Sequence, residues 1–248
     1  LERLLLRARQ AGVTRILVPA TTREDAPRAV ALAEAHDGVY AAVGIHPHET
    51  SAFDEDVDLA AFEELCRSPK VVAVGEVGLD FHYDHSPRDV QKRALIAQLR
   101  FARSRGLPVI LHNRLSEAEL LPILEREAPG SPEDLRGVFH SFCADVATGE
   151  RAIALGYLLS FSGMLTFRAA ENVREAARAL PLGSMLVETD APYLAPVPKR
   201  GKRNEPSFVK HTAAYVAGMF GLGPDDLARR TTQNFERLFD KTAAKAAA

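Results

Sequence analysis

The sequence predicts an α/β fold, a TIM (β/α)8 barrel with parallel strands, and three observations support it. Short runs rich in Val, Ile and Leu recur along the 248-residue chain. These runs are continuous rather than alternating, which is typical of strands covered on both faces. Amphipathic helical segments lie between most of them, and strands that alternate with helices indicate βα units and a parallel sheet.

Seven strands are predicted, one fewer than a closed barrel needs. They are RILVPA (15–20), VYAAVGIHP (39–47), VVAVGEVGLD (71–80), PVILHN (108–113), RGVFHSF (136–142), YLLSFSG (157–163) and MLVETD (185–190). The chain opens with a helix-like segment, LERLLLRARQAGV, so we expect the first barrel strand to be missing from it. A doubly wound open sheet is the alternative, but neither G-x-G-x-x-G nor a P-loop supports its nucleotide-binding versions.

Capping residues indicate where several helices begin and end. The opening segment is predicted to be a helix up to Gly12, and a second helix near 23–36 has Thr22 and Asp25 at its start. A third helix runs from Ser86-Pro87 to Gly106, and a fourth has Ser116 and Glu119 at capping-box spacing. Further helices are predicted near 166–180, 205–220 and 224–239. The Pro-rich stretch 192–206 is predicted to be a long loop. We expect one domain over 1–240, followed by a low-complexity tail at 241–248.

Composition excludes some classes of function. The net charge is -2, so no global positive field attracts nucleic acid, and any such binding needs a local patch. Cys66 and Cys143 are far apart and form no metal or redox motif, so we expect reduced thiols in a cytoplasmic protein. No signal peptide or long apolar run is found, so neither secretion nor membrane spanning is predicted.

Ionisable side chains stand near the ends of five predicted strands. They are His46, Glu76 with Asp80, His112, His140, and Glu188 with Asp190. Because the carboxyl ends of barrel strands converge on the face that carries active sites, we expect them in one pocket. Histidines with carboxylates suit Zn²⁺ or Mn²⁺, and a hydrated carboxylate site also accepts Mg²⁺. A Glu76 that bridges two ions would explain a carboxylate within an apolar strand.

The loop after Asp190 is strongly basic. It contains Lys199, Arg200, Lys202 and Arg203 within five positions. A run of charges is often only a solvated face, but the place of this one favours contacts with phosphate groups. Arg114, two residues after His112, is a weaker candidate of the same kind.

These motifs together resemble the TatD family of metal-dependent deoxyribonucleases, which belongs to the amidohydrolase-like TIM barrels. The matching stretches, in order, are GIHPHE (44–49), GEVGLDF (75–81), LHNR (111–114), FHSF (139–142), LSFSG (159–163), ETDAPYL (188–194) and RGKRNEP (200–206). Each is short, but seven in the right order, spread over nearly the whole chain, are very specific.

The resemblance implies a two-metal phosphodiesterase that acts on DNA. By similarity, Glu76 bridges two divalent ions, and His112 and His140 hold one of them. Asp190 helps to hold the other ion and orients or deprotonates the attacking water. His46 lies near the scissile phosphate, and Arg203 belongs to the loop motif at the rim of the site. Mg²⁺ or Mn²⁺ is expected for turnover, with Zn²⁺ as another occupant. His82 and His85 match no family ligand and are expected to be surface residues.

One departure from the family pattern concerns the first strand, where an H-x-H pair usually binds metal. The chain contains only His46-Pro47-His48, which belongs to a later strand. We therefore expect the segment with the missing pair to precede Leu1. A truncated form with one complete metal site is the alternative, and because some family members vary at these histidines, activity is not excluded even then.

The predicted function is a DNase, exonucleolytic as is common in the family, with a role in DNA repair or turnover. DNA is the expected partner of a monomer. Two rivals remain: an amidohydrolase or deacylase acting on small molecules or aminoacyl esters, and a non-enzymatic scaffold. Because aromatic residues make up only 7% of the chain, recognition is expected through phosphates and shape rather than base stacking.

Overall fold

The computed structural model describes residues 1–128, 131 and 134–242. Its strands are β1 (Ile16–Pro19), β2 (Val39–Val43), β3 (Val71–Asp80), β4 (Val109–Arg114), β5 (Gly137–Phe139), β6 (Tyr157–Phe161) and β7 (Met185–Val187). Its α-helices are α1 (Glu2–Gln10), α2 (Ala26–Ala35), α3 (Glu55–Leu65), α4 (Arg88–Ser104), α5 (Glu117–Glu127), α6 (Val146–Ala154), α7 (Glu171–Ala179), α8 (Val209–Met219) and α9 (Pro224–Leu238). All seven predicted strands are thus confirmed. Most of the predicted tail, from residue 243 onward, lies outside the described residues.

The chain divides into two compact units. The first unit consists of Leu1–Ile16, His140–Ile153 and Leu158–Phe235. The second unit consists of Leu17–Phe139, Ala154–Tyr157 and a segment that begins at Glu236. The expectation of a single domain over 1–240 stays a prediction.

In the second unit, strands β1 to β5 lie in the sheet in the order in which they follow along the chain. The pairs β2/β3, β3/β4 and β4/β5 are parallel. Helix α2 packs against β2, and α4 packs against β3. A doubly wound sheet reverses its strand order at a switch point, so this sequential order favours the barrel arrangement.

Strand β3 lies at the centre of this unit, and all ten of its residues are buried. Its neighbours on either side are β2 and β4. Burial on both faces accounts for the continuous apolar run that opens β3. The two carboxylates of this strand, Glu76 and Asp80, are therefore held within a packed sheet, between residues that follow β2 and residues of β4.

Gly78 allows β3 and β4 to approach closely beside a candidate site residue. Gly78 is the partner of His112 in the parallel ladder. It adopts φ +149°, and a Cβ atom at this position would lie 2.0 Å from the carbonyl oxygen of His112. Only glycine fits such a position, so the second glycine of GEVGLD fixes the backbone of His112.

The first unit carries the parallel pair β6/β7, in which Leu159 lies opposite Met185. Helix α8 packs against β7. From α9, the amide of Asn234 donates hydrogen bonds to the carbonyls of Leu182 and Met185, at 3.2 and 2.8 Å. These contacts fix β7, which leads directly to Glu188 and Asp190.

At the starts of two helices, α2 and α5, the observed hydrogen bonds differ from the predicted capping. Helix α2 begins at Ala26, because the Asp25 carboxylate accepts hydrogen bonds from the backbone of Thr21 and Thr22 in the preceding turn. The predicted capping box of α5 was wrong. The Ser116 hydroxyl lies within hydrogen-bond distance of the Leu79 carbonyl and the Asn113 side chain, so it ties α5 to the neighbouring strands instead of capping the helix.

No helix among the described residues combines the length and the apolar character that crossing a bilayer requires. This agrees with the sequence, in which no long apolar run was found.

Candidate metal centre

Three predicted site residues of the second unit lie together. His112 Nδ1 is 2.9 Å from Glu76 Oε1, and His46 Nε2 is 3.3 Å from the same oxygen. The two imidazoles are also adjacent, with His46 Nε2 3.3 Å from His112 Nδ1. The structure thus brings together His46, Glu76 and His112, three of the strand-end residues that are expected in one pocket.

The orientation of His46 is fixed by its own turn. The residue stands at the start of a short 3₁₀ helix, Pro47–Ala52, and its Nδ1 accepts a hydrogen bond from the backbone of His48. Its Nε2 is thereby directed at Glu76. Burial lowers the pKa of His46, although the neighbouring carboxylate acts in the opposite direction. The imidazole is therefore neutral near pH 7, and because Nδ1 accepts the hydrogen bond from His48, the ring proton lies on Nε2.

The second ring nitrogen of His112 is held by a buried carboxylate. His112 Nε2 lies 3.0 Å from Asp80 Oδ2, and the side chain of Asp80 is only 1% exposed. His48 Nε2 lies 2.8 Å from the same oxygen. The other oxygen, Oδ1, accepts hydrogen bonds from the backbone of His82 and Tyr83, both at 2.9 Å.

Burial alone would raise the pKa of Asp80, but the hydrogen bonds from His112, the Tyr83 backbone, His48 and the His82 backbone hold it well below its usual range. Asp80 is therefore ionised, and both of its oxygens are occupied. An ionised acceptor at Nε2 keeps the proton of His112 on that nitrogen and leaves the Nδ1 lone pair facing Glu76. Asp80 is thus a positioning residue for His112, in the manner of carboxylate–histidine pairs at metal sites.

The donor chemistry of these residues fits a divalent cation. Two sets, His46 with Glu76 and His112, and His48 with Asp80 and His112, each place three ligand atoms within 4.8 Å of one another. Imidazole nitrogen and carboxylate oxygen are ligands of Zn²⁺ and Mn²⁺. Because Asp80 is saturated by hydrogen bonds, Glu76 and His112 are the better candidates for ligands, with His46 beside them.

The first unit contains a second pair of donors. His140 Nδ1 lies 2.8 Å from Glu188 Oε1, a buried oxygen that has no hydrogen bond within the described part of the chain. An imidazole nitrogen and a carboxylate oxygen this close together form a donor pair of the kind that binds divalent cations. Asp190, two residues on, adopts φ +56°, a strained conformation that is common at functional sites.

The remaining predicted residues occupy strand ends and loops. Arg114 is half-buried at the end of β4, opposite Asp80 in the ladder. In the basic loop, the guanidinium of Arg200 lies 3.8 Å from the centre of the Phe167 ring. Lys202 and Arg203 are exposed on the same loop. Contact of these cations with phosphate stays a prediction.

The sequence did not predict that His48 and Asp80 contact each other. One signal was available: Glu76 and Asp80 are separated by four residues in a strand, and an even separation places side chains on one face. Both carboxylates indeed contact the ring of His112.

Comparison with known proteins identifies relatives over almost the whole chain. The model of the family described as "TatD related DNase" matches residues 1–240. The uncharacterized metal-dependent hydrolase YabD of Bacillus subtilis is 38% identical over 239 residues, which cover 96% of this chain and 92% of YabD. The 3'-5' ssDNA/RNA exonuclease TatD of Pantoea vagans is 35% identical over 244 residues, covering 96% and 92% of the two chains.

A solved structure shares this fold. The crystal structure of YjjV, a TatD homologue from Escherichia coli, superposes with a TM-score of 0.88 at 37% identity, covering 96% of this chain and 91% of YjjV. This likeness confirms the predicted α/β barrel class.

Proposed function

Because the chain belongs to the TatD-related DNase family and its relatives are metal-dependent hydrolases, we propose that it hydrolyses phosphodiester bonds of DNA with two divalent metal ions. The observation that carries this proposal is the convergence of His46, Glu76 and His112. A buried carboxylate between two imidazoles is costly unless a cation or a proton offsets its charge.

The ligand roles follow from geometry in the second unit and from the family resemblance elsewhere. Glu76 offers two oxygens and is proposed to bridge the ions, with His112 Nδ1 beside it. By resemblance, His140 and Asp190 are also assigned as ligands. Divalent ions bound to these residues would supply Lewis acidity toward the phosphoryl oxygens.

The other side chains act on the substrate and its protons. A neutral His46 can donate a hydrogen bond to a phosphate oxygen without repelling the cations. Asp190 is proposed to orient the attacking water and accept its proton. Arg114 and Arg203 would offset the charge of the DNA backbone.

DNA is favoured over a small ester or amide by the basic loop. Four cations within five positions suit a polyanion, whereas hydrolysis of a neutral carbonyl compound does not need them. The relative from Pantoea vagans is described as a 3'-5' exonuclease of single-stranded DNA and RNA, which supports an exonucleolytic reaction from a 3′ end.

The test is nuclease activity on 3′-labelled single-stranded DNA with EDTA, Mg²⁺ or Mn²⁺. We expect release of labelled nucleotides with either metal and none in EDTA. Glu76→Ala should abolish this activity while the circular dichroism spectrum is retained, since the substitution removes the central metal ligand.

A matched control is Glu175→Ala, which removes an exposed glutamate from α7 and should leave turnover unchanged. Retained activity in Glu76→Ala would contradict the proposed metal centre. Turnover of ester or amide substrates in place of DNA would indicate the amidohydrolase alternative, and bound metal without any turnover would indicate a scaffold.

A further inference from the structure

A cluster of rings follows directly after the metal-centre strand β3. Residues 81–85 read Phe-His-Tyr-Asp-His, so four of the five side chains are aromatic or imidazole rings. The rings of His82, Tyr83 and His85 are exposed, and Tyr83 is 58% exposed. An exposed group of rings is notable in a chain with so few aromatic residues.

The loop that carries these rings is held in place by hydrogen bonds. Asp80 accepts from the backbone of His82 and Tyr83. At the other end, the Arg88 guanidinium donates to both oxygens of Asp84, each at 2.8 Å, and to the Phe81 carbonyl at 3.2 Å. A ligand that binds to a fixed loop loses less conformational entropy than one that must order it.

The exposed rings are continuous with the metal centre. The Tyr83 and His85 rings are parallel to within 4°, with centroids 5.7 Å apart. The ring of His48 contacts both of them edge-on, at 4.6 Å from His85 and 5.6 Å from Tyr83. His48 in turn lies 2.8 Å from Asp80, the carboxylate that orients His112.

We propose that Tyr83 and His85 form a stacking platform for a nucleobase at the end of a single-stranded nucleic acid. This inference rests on the proposed function and adds a base-binding subsite to it. Flat, exposed rings bind bases through their faces without regard to sequence. The composition of the chain predicted few such platforms, but a small total does not exclude a local cluster beside the site.

The ligand class follows from the chemistry of the platform. Arg88, the cation that anchors this loop, has its guanidinium engaged by Asp84 and by the face of Phe81. Because this guanidinium is already engaged, a phosphate group is disfavoured as the ligand of the platform. A planar, uncharged base complements the exposed ring faces, while its phosphate can extend toward the metal centre.

The test measures affinity and not turnover. Fluorescein-labelled single-stranded oligonucleotides are titrated with the protein in EDTA, and anisotropy gives Kd. Each of the last three nucleotides at the 3′ end is replaced in turn by an abasic analogue. For the unaltered protein, loss of the base at one of these positions should weaken binding roughly 5- to 100-fold.

Variants then locate the effect. Tyr83→Ala should bind the complete and the abasic oligonucleotides equally, whereas Tyr83→Phe should keep the difference because stacking needs the ring and not the hydroxyl. Tyr215→Ala, an aromatic deletion at a 38% exposed position on α8, is the control and should also keep it.

The platform and the proposed nuclease fail in different ways. A base-dependent Kd that persists in Tyr83→Ala, or a Kd that never depends on a terminal base, overturns the platform even if DNA is cleaved. A Tyr83-dependent preference for the base in a protein that cleaves no phosphodiester supports the platform and contradicts the nuclease. Absence of any oligonucleotide binding overturns the platform.

Discussion

Asp80 holds His112 by the ring nitrogen that faces away from Glu76: Oδ2 lies 3.0 Å from Nε2, while Nδ1 lies 2.9 Å from Glu76 Oε1. One imidazole thus lies between two buried carboxylates. The pairing makes the orientation of a candidate metal ligand depend on a residue outside the proposed ligand set.

Replacing this carboxylate should weaken metal binding without removing a ligand. We expect Asp80→Asn to lower the affinity for Mn²⁺ about 10- to 100-fold, because the amide no longer fixes the proton of His112 on Nε2. Calorimetric titration of the EDTA-stripped protein measures this. Asp89→Asn, which breaks an exposed pair with Arg93, is the control and should bind as the unaltered protein does. An unchanged affinity in Asp80→Asn would remove the positioning role.

Gly78 should tolerate no side chain. In Gly78→Ala the added Cβ would meet the His112 carbonyl at 2.0 Å, so strands β3 and β4 must separate. We expect the free energy of unfolding to fall by about 2–4 kcal/mol, together with a loss of metal affinity as His112 moves. Urea denaturation in EDTA gives the first quantity. Gly183→Ala is the matched control, because a Cβ there meets nothing within 4 Å; equal losses in both variants would contradict the steric explanation.

The buried hydroxyl of Tyr157 has no hydrogen-bond partner among the described residues, and burial raises its pKa. Removing an unsatisfied polar group recovers its desolvation cost, so Tyr157→Phe should be neutral or stabilise the protein by up to about 1 kcal/mol. Thermal and urea unfolding measure the change. In the control Tyr40→Phe, a hydroxyl that donates to the Thr242 carbonyl is lost, and no stabilisation is expected. Clear destabilisation by Tyr157→Phe would indicate a partner that this structure does not contain.

The pair Arg100–Glu127 should make stability depend on pH in the acid range. Arg100 Nε donates to Glu127 at 2.9 Å, and this hydrogen bond holds the pKa of Glu127 below its usual value. The contribution is therefore complete above the pKa of an unfolded glutamate, about 4.3, and is lost as the pH falls through the lower, folded value.

Glu127→Gln should reduce the dependence of the free energy of unfolding on pH in this range. Urea unfolding between pH 3 and pH 6, in the presence of chelator, measures this dependence. Because Arg100 is 61% exposed, the effect should be modest and should decrease with salt. Glu175→Gln, at an exposed position on α7, is the control. A profile that is identical in Glu127→Gln and the unaltered protein would show that the pair contributes nothing.

The strands were predictable because burial on both faces leaves a continuous apolar run, and Glu76 and His112 were recognisable because they interrupt or end such runs. The hydrogen bond of Ser116 was not predictable, because its partner Leu79 comes from a strand remote in sequence. The hydrogen bonds to Asp80 were likewise not predictable, because they depend on how the loop that carries His82 and Tyr83 folds back onto this carboxylate. For His140 and Asp190 the sequence predicts the type of site, and their functions stay predictions.

The four contacts of Asp80 have a thermodynamic consequence. Its Oδ2 atom is shared between His112, beside the metal centre, and His48, beside the rings of Tyr83 and His85. Two ligands that act on one carboxylate obey reciprocity: the factor by which bound metal changes the affinity for a strand end equals the factor by which a strand end changes the affinity for metal. If the proposed function and platform hold, the concentration of divalent ions would set the affinity for a DNA end through this single side chain.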